Sequence, residues 1–158
     1  MARRSKTEQL VEANLSAQQM ELAIPKIERR IAELEKFDVQ SVTDRSDPKI
    51  LTLEKSLDTL LVSIFGANSI EYQRYYRPVT TLDTASIQWN EPTPRSEIIR
   101  GLKRGISTSI AHLETIKQLF WEELHDSGHT STGKALRAYE GLDLHHAIER
   151  ASGTLFKN

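Results

Sequence analysis

Apolar residues recur every three or four positions through most of this chain, a spacing that puts them on one face of a helix and on no face of a strand. The pattern is cleanest after Asp47, a good N-cap followed by Pro48 at the first helical position. Ile50, Leu53, Leu57, Leu60, Leu61 and Ile64 then point inward, and Gly66 ends the run after Phe65. An earlier helix is expected broadly over Lys6 to Phe37, with Met20, Ile24, Ile27, Ile31 and Leu34 as its stripe. Within it Ser16 and Gln19 have the spacing of a capping box, and Pro25 marks either a kink or the first turn of a new helix. A polar linker, Asp38 to Asp47, separates the two.

A short helix from Ser69 to Tyr76 is expected to stop before Pro78, and Arg77 to Thr93, with Trp89 and its prolines, reads as an ordered loop. A long helix then follows with Thr93 as its cap and Pro94 at its first position, lined by Ile99, Leu102, Ile106, Ile110, Leu113, Phe120, Trp121 and Leu124. At roughly thirty residues it would be about 45 Å long, enough for the spine of a bundle. The stretch His125 to Gly133 is rich in glycine, serine and threonine and reads as a hinge. A last amphipathic segment has Asp143 as its cap and Leu144, Ile148, Ala151 and Leu155 at helical spacing, and the apolar pair Leu155-Phe156 lies two residues from Asn158. The expected class is all-α: a helical hairpin or bundle with a long helix in its C-terminal half, a hinge and an unfinished terminal helix. In domain terms, 1–15 is an N-terminal extension, 16–124 the bundle, 125–140 the linker and 141–158 the start of a further domain.

Charge and composition narrow the function classes. The 158 residues carry 21 basic and 22 acidic side chains, a formal net charge of −1, so no global field draws in nucleic acid or anionic membranes. Without cysteine there is no disulfide, thiol nucleophile or cysteine metal site. No secretory signal and no membrane-spanning run stands out, and a cytoplasmic setting is expected, with no cofactor.

Each remaining candidate has a plainer reading beside it. His125 and His129 are four apart with Asp126 between them, a metal-ligand spacing, but Ser127-Gly128 interrupts any helix there and a solvated loop is the simpler expectation. The adjacent His145 and His146 would diverge on a helix, and His112 reads as a partly buried structural side chain. Arg95, Arg100, Lys103 and Arg104 crowd the start of the long helix, where they would suit phosphate, a nucleotide or nucleic acid, or else form a solvated face interrupted by Glu97. Tyr72, Tyr75, Tyr76 and Trp89 could stack on bases or pack the loop against the bundle. Gly101 and Gly105, four apart, suit a close helix crossing.

The run from Leu144 through His145, His146, Ile148, Leu155 and Phe156 to Asn158 resembles the opening of the Ymh-type domain of bacterial proteins. In that family a glycine-histidine-tyrosine element follows, and this chain ends where it would begin. More loosely, Ile27 to Leu34, Pro48 to Gly66 and Tyr72 to Tyr76 are similar to the helical segment that precedes such domains in defence-associated proteins. The Ymh-type domain belongs with the all-helical HEPN superfamily, many of whose members are metal-independent ribonucleases. The resemblance implies RNA cleavage by an arginine that stabilises phosphate charge and, after about four to six intervening residues, a histidine acting as general acid–base, shared across a dimer. Here seven residues separate both Arg104 from His112 and Arg137 from His145. The family's own pair lies downstream of the opening, so no catalytic residue is carried over. The leading expectation is a non-catalytic interaction or oligomerisation module, partnered by itself or another protein. Alternatives are a ribonuclease built from Arg137 with His145 or His146, and nucleic-acid or nucleotide binding by the Arg95–Arg104 face.

Overall fold

A computed structural model of the chain describes residues 8–87 and 90–128. Its contacts divide the chain into two compact units, Met1–Trp121 and Glu122–Asn158. The first holds nearly all that is described: α1 (Ala17–Lys36), a 3-10 turn (Val39–Ser41), α2 (Pro48–Phe65), α3 (Ile70–Thr80) and most of α4 (Arg95–Asp126). Among the described residues there is no strand, only an isolated parallel bridge between Val11 and Ser69, so the all-α class holds. No described helix is long and apolar enough to cross a membrane. The hinge beyond Gly128 and the terminal helix lie outside the described residues.

The caps decide where the helices start. The Ser16 hydroxyl accepts from the Gln19 amide at 3.1 Å and the Gln19 side chain accepts from the Ser16 amide at 2.8 Å. This reciprocal pair fixes the start of α1 at Ala17, so the helix expected from Lys6 is shorter. The residues before it are extended because their amides have partners elsewhere. Val11 N–H donates to the Asn68 carbonyl, Ile70 N–H donates back to Val11, and Ala13 N–H reaches the Glu71 carboxylate at 2.8 Å. Pro25 lies inside one continuous helix, on its exposed side.

The second helix runs from Pro48 to Phe65 as expected, with Asp47 accepting from Lys49 N–H at 3.0 Å and Gly66 turning the chain at φ 80°. Ser69 caps α3, which continues past Pro78 to Thr80. Arg77 to Thr80 are therefore helical, not the start of the loop. Pro78 stands in the last turn, where it removes one backbone bond and the helix goes on for only two more residues.

Successive helices alternate in direction. Fully enclosed side chains include Ile27 and Leu34 of α1, Leu57 and Leu61 of α2, and Leu102, Leu113 and Ile116 of α4. Each such side chain contributes roughly 1.5–3 kcal/mol by leaving water. Phe65 ties the layers together, stacked on Tyr75 at 5.8 Å and edge-on to Phe120 at 6.0 Å. In α4 the inward stripe is Ile98, Leu102, Ile106, Leu113, Ile116 and Phe120. Ile99 and Ile110, expected inward, are half-exposed, as is Ile64 of α2, and Trp121 is 42% exposed.

That rotation has a cause. Tyr75, Val79, Leu82 and Ala85 meet His112, Ser109, Gly105 and Gly101 in a nearly constant antiparallel register. Small residues at 101, 105 and 109 must face the chain between Val79 and Ala85, which turns Ile99 and Ile110 to the flank. The close approach expected of the glycine pair is present, but its partner is an irregular strap, Leu82–Ala85, rather than a helix. A Cβ at Gly101 would sit 2.5 Å from the Ala85 nitrogen, and one at Gly105 would overlap the Leu82 carbonyl. Gly105→Ala should therefore destabilise the protein by about 2 kcal/mol or more, although alanine is the better helix former by roughly 1 kcal/mol. Urea unfolding of the variant measures it, and an increase in stability would refute the close packing.

Candidate functional site

The strap is an irregular segment whose backbone polar groups need partners from outside it. Three elements supply them. From α2, Glu54 accepts the Leu82 N–H at 3.0 Å. From the linker before α2, Arg45 pairs with Asp83 at 2.6 Å and donates to the carbonyls of Ala85 at 3.0 Å and Ser86 at 3.4 Å. It also reaches the Thr93 hydroxyl at 3.4 Å, so that hydroxyl serves Arg45 rather than capping α4 as expected. From α4, Arg104 donates to the Thr84 hydroxyl at 3.1 Å and to its carbonyl at 3.2 Å, while that hydroxyl donates to the Gly101 carbonyl at 2.6 Å. Asp83 closes a local turn by accepting from Ala85 N–H at 3.1 Å.

This geometry places the four cations expected to form a phosphate face. Arg104 braces the strap. Arg95 donates to the Gln40 carbonyl at 2.5 Å and to Val42 at 3.4 Å, tying the start of α4 to the 3-10 turn. Arg100 pairs with Glu97 at 2.5 Å on an open surface, and Lys103 is exposed. Two of the four thus bind the protein's own main chain. Arg45, their partner in bracing, carries no sequence signal, because nothing in a polar linker distinguishes it locally.

The aromatic residues divide in the same way. Tyr75 is buried between Phe65 and the edge of His112, with ring centroids 6.3 Å apart in the latter pair. Its role is packing, and His112 is partly enclosed as expected. Tyr72 donates to Asp58 of α2 at 2.6 Å and tilts against the exposed Tyr76. Trp89 lies outside the described residues. His112 and Arg104 stand two turns apart on α4, about 12 Å along its axis, each with its own neighbours. His125 has Asp126 at 3.7 Å, both well exposed, and His129 lies outside the described residues. No group of three or more metal-ligating side chains forms among the described residues. Arg137, His145 and His146 also lie outside them.

One recess remains. It is a groove, broadly open to solvent, between the last turns of α1 and the first turns of α2, with a volume of about 620 Å³. Phe37 and Leu53 line its floor, Arg30, Glu33 and Lys36 one wall, and Lys49 the other. Arg30 and Glu33 neutralise each other at 2.6 Å. Lys49 donates to the Ser41 carbonyl at 3.3 Å. Neither Lys36 nor Lys49 forms an ion pair among the described residues. No sequence signal marked this recess, because its walls come from separate helices. No protein family, curated protein or solved structure matches the chain.

Two outcomes follow from this bonding. Arg45→Met should cost about 2 kcal/mol by stranding a partly buried carboxylate and two carbonyls, and should speed hydrogen exchange at Ala85. Lys103→Ala should change stability by less than about 0.5 kcal/mol. Equal effects in denaturant unfolding would contradict the bracing role. Tyr72 provides a pH test: burial first, and then its bond to Asp58, push its hydroxyl up to about 12. The folded state holds that proton where the unfolded chain, near 10, releases it. The stabilisation is complete below about pH 10 and disappears as pH rises through about 12. Thermal unfolding of Tyr72→Phe should show a shallower alkaline decline than the parent, and parallel curves would exclude the linkage.

Proposed function

We propose that the chain is a non-catalytic helical interaction module of a Ymh-type, HEPN-related protein of phage defence, acting in the cytoplasm through self-association, partner sensing or positioning of an effector domain. The observation that carries this reading is the division of labour among its polar side chains. Arg45, Arg95, Arg104 and Glu54 are committed to holding the chain's own backbone, which favours a scaffold over a phosphate-binding face. The recess between α1 and α2, with its apolar floor, is a surface suited to a partner.

The ribonuclease alternative uses Arg137 with His145 or His146. Incubating the full-length chain with structured and single-stranded RNA in EDTA separates the two readings. The expected outcome is no cleavage above buffer, unchanged by His145→Ala, together with light-scattering masses that rise with protein concentration. Metal-free cleavage that disappears in both Arg137→Ala and His145→Ala would overturn the proposal. Salt-sensitive RNA binding lost in Arg100→Ala would move the assignment to the nucleic-acid reading.

A further inference from the structure

We infer that the recess between α1 and α2 is a docking groove for an acidic amphipathic helix, which inserts a large apolar side chain onto Phe37 and Leu53 and sets its carboxylates against Lys36 and Lys49. The inference rests on the interaction reading above and names the chemistry of the partner. Two neighbouring antiparallel helices leave a furrow between them, and here the furrow has an apolar floor and a volume of about 620 Å³. That is room for an anchoring side chain with the turn that carries it, as in helix-in-groove recognition.

Charge selects the occupant. The Arg30–Glu33 pair is internally neutral, so the side chains that line the recess carry a net positive charge, Lys36 on one wall and Lys49 on the other. Both are exposed, and Lys49 is held over the linker by the Ser41 carbonyl, which orders its stem without neutralising its charge. An apolar floor between two cations is complementary to a helix with leucine or phenylalanine on one face and glutamate or aspartate flanking it. A basic helix would meet repulsion from both walls.

The experiment uses the full chain and three synthetic helical peptides. The first has leucine and phenylalanine at helical spacing and glutamate elsewhere. In the second, lysine replaces glutamate; in the third, serine replaces the apolar residues. Fluorescence anisotropy gives affinity, and backbone amide shifts give location. The first peptide should bind, with shifts centred on Phe37, Lys49 and Thr52, and the other two should not. Lys36→Glu combined with Lys49→Glu should weaken binding about tenfold and flatten its salt dependence. Thr52→Trp fills the groove without altering charge and should block binding as well, so the test survives if the double variant fails to fold.

Equal binding by the lysine peptide, shifts centred elsewhere, or no binding of the first peptide at millimolar concentration would overturn the groove. A chain that self-associates but ignores the peptide keeps the interaction reading and loses the groove. A chain that cleaves RNA through His145 loses the interaction reading, while peptide binding stands or falls on its own data.

Discussion

Leu82 and Ala85 lie against bare backbone at Gly105 and Gly101, and the position of α4 in the bundle follows from that approach. Any side chain at those positions would push the strap outward and break the register that carries Val79 to Ser109 and Tyr75 to His112. With the register set, the apolar side of α4 has only one way to face. Ile98, Leu102 and Ile106 enter the core while Ile99 and Ile110 turn aside. Two residues without side chains thus determine what a 32-residue helix buries.

Close approach alone does not hold an irregular segment, because its amides and carbonyls give up water when covered. Here charged side chains replace the water. Glu54, Arg45 and Arg104 come from three different elements and converge on Leu82 to Ser86. Arg95 does the same for the turn after α1. Their long side chains make charge-assisted bonds that are stronger than neutral ones. The functional consequence is subtraction: of the four cations that crowd the start of α4, Arg95 and Arg104 are already bound to main chain, while Lys36 and Lys49 flank the α1–α2 recess.

Much of the architecture was legible from local signals. The Asp47-Pro48 start, the Gly66 stop and the Ser16–Gln19 box are chemistry within a few residues, and each appears where those residues stand. The phase of α4 was not legible, since Ile98 and Ile99, or Ser109 and Ile110, compete for the same face until a neighbour chooses. Nor was the continuation of α3 through Pro78, which burial of Val79 and Thr80 favours over local propensity. No local pattern marks the recess, because its walls, near Lys36 and Lys49, belong to different helices and share no motif.

By itself the sequence determined the all-helical class, three of the four helix starts to within a residue, the stop of α2 at Gly66 and the exclusion of thiol chemistry, because caps, periodicity and composition act over a few residues or none. Tertiary structure alone decided which arginines hold the backbone, which face of α4 is buried and where a groove opens. Those outcomes depend on atoms distant along the chain coming within bonding range, and no local pattern encodes a distance of that kind.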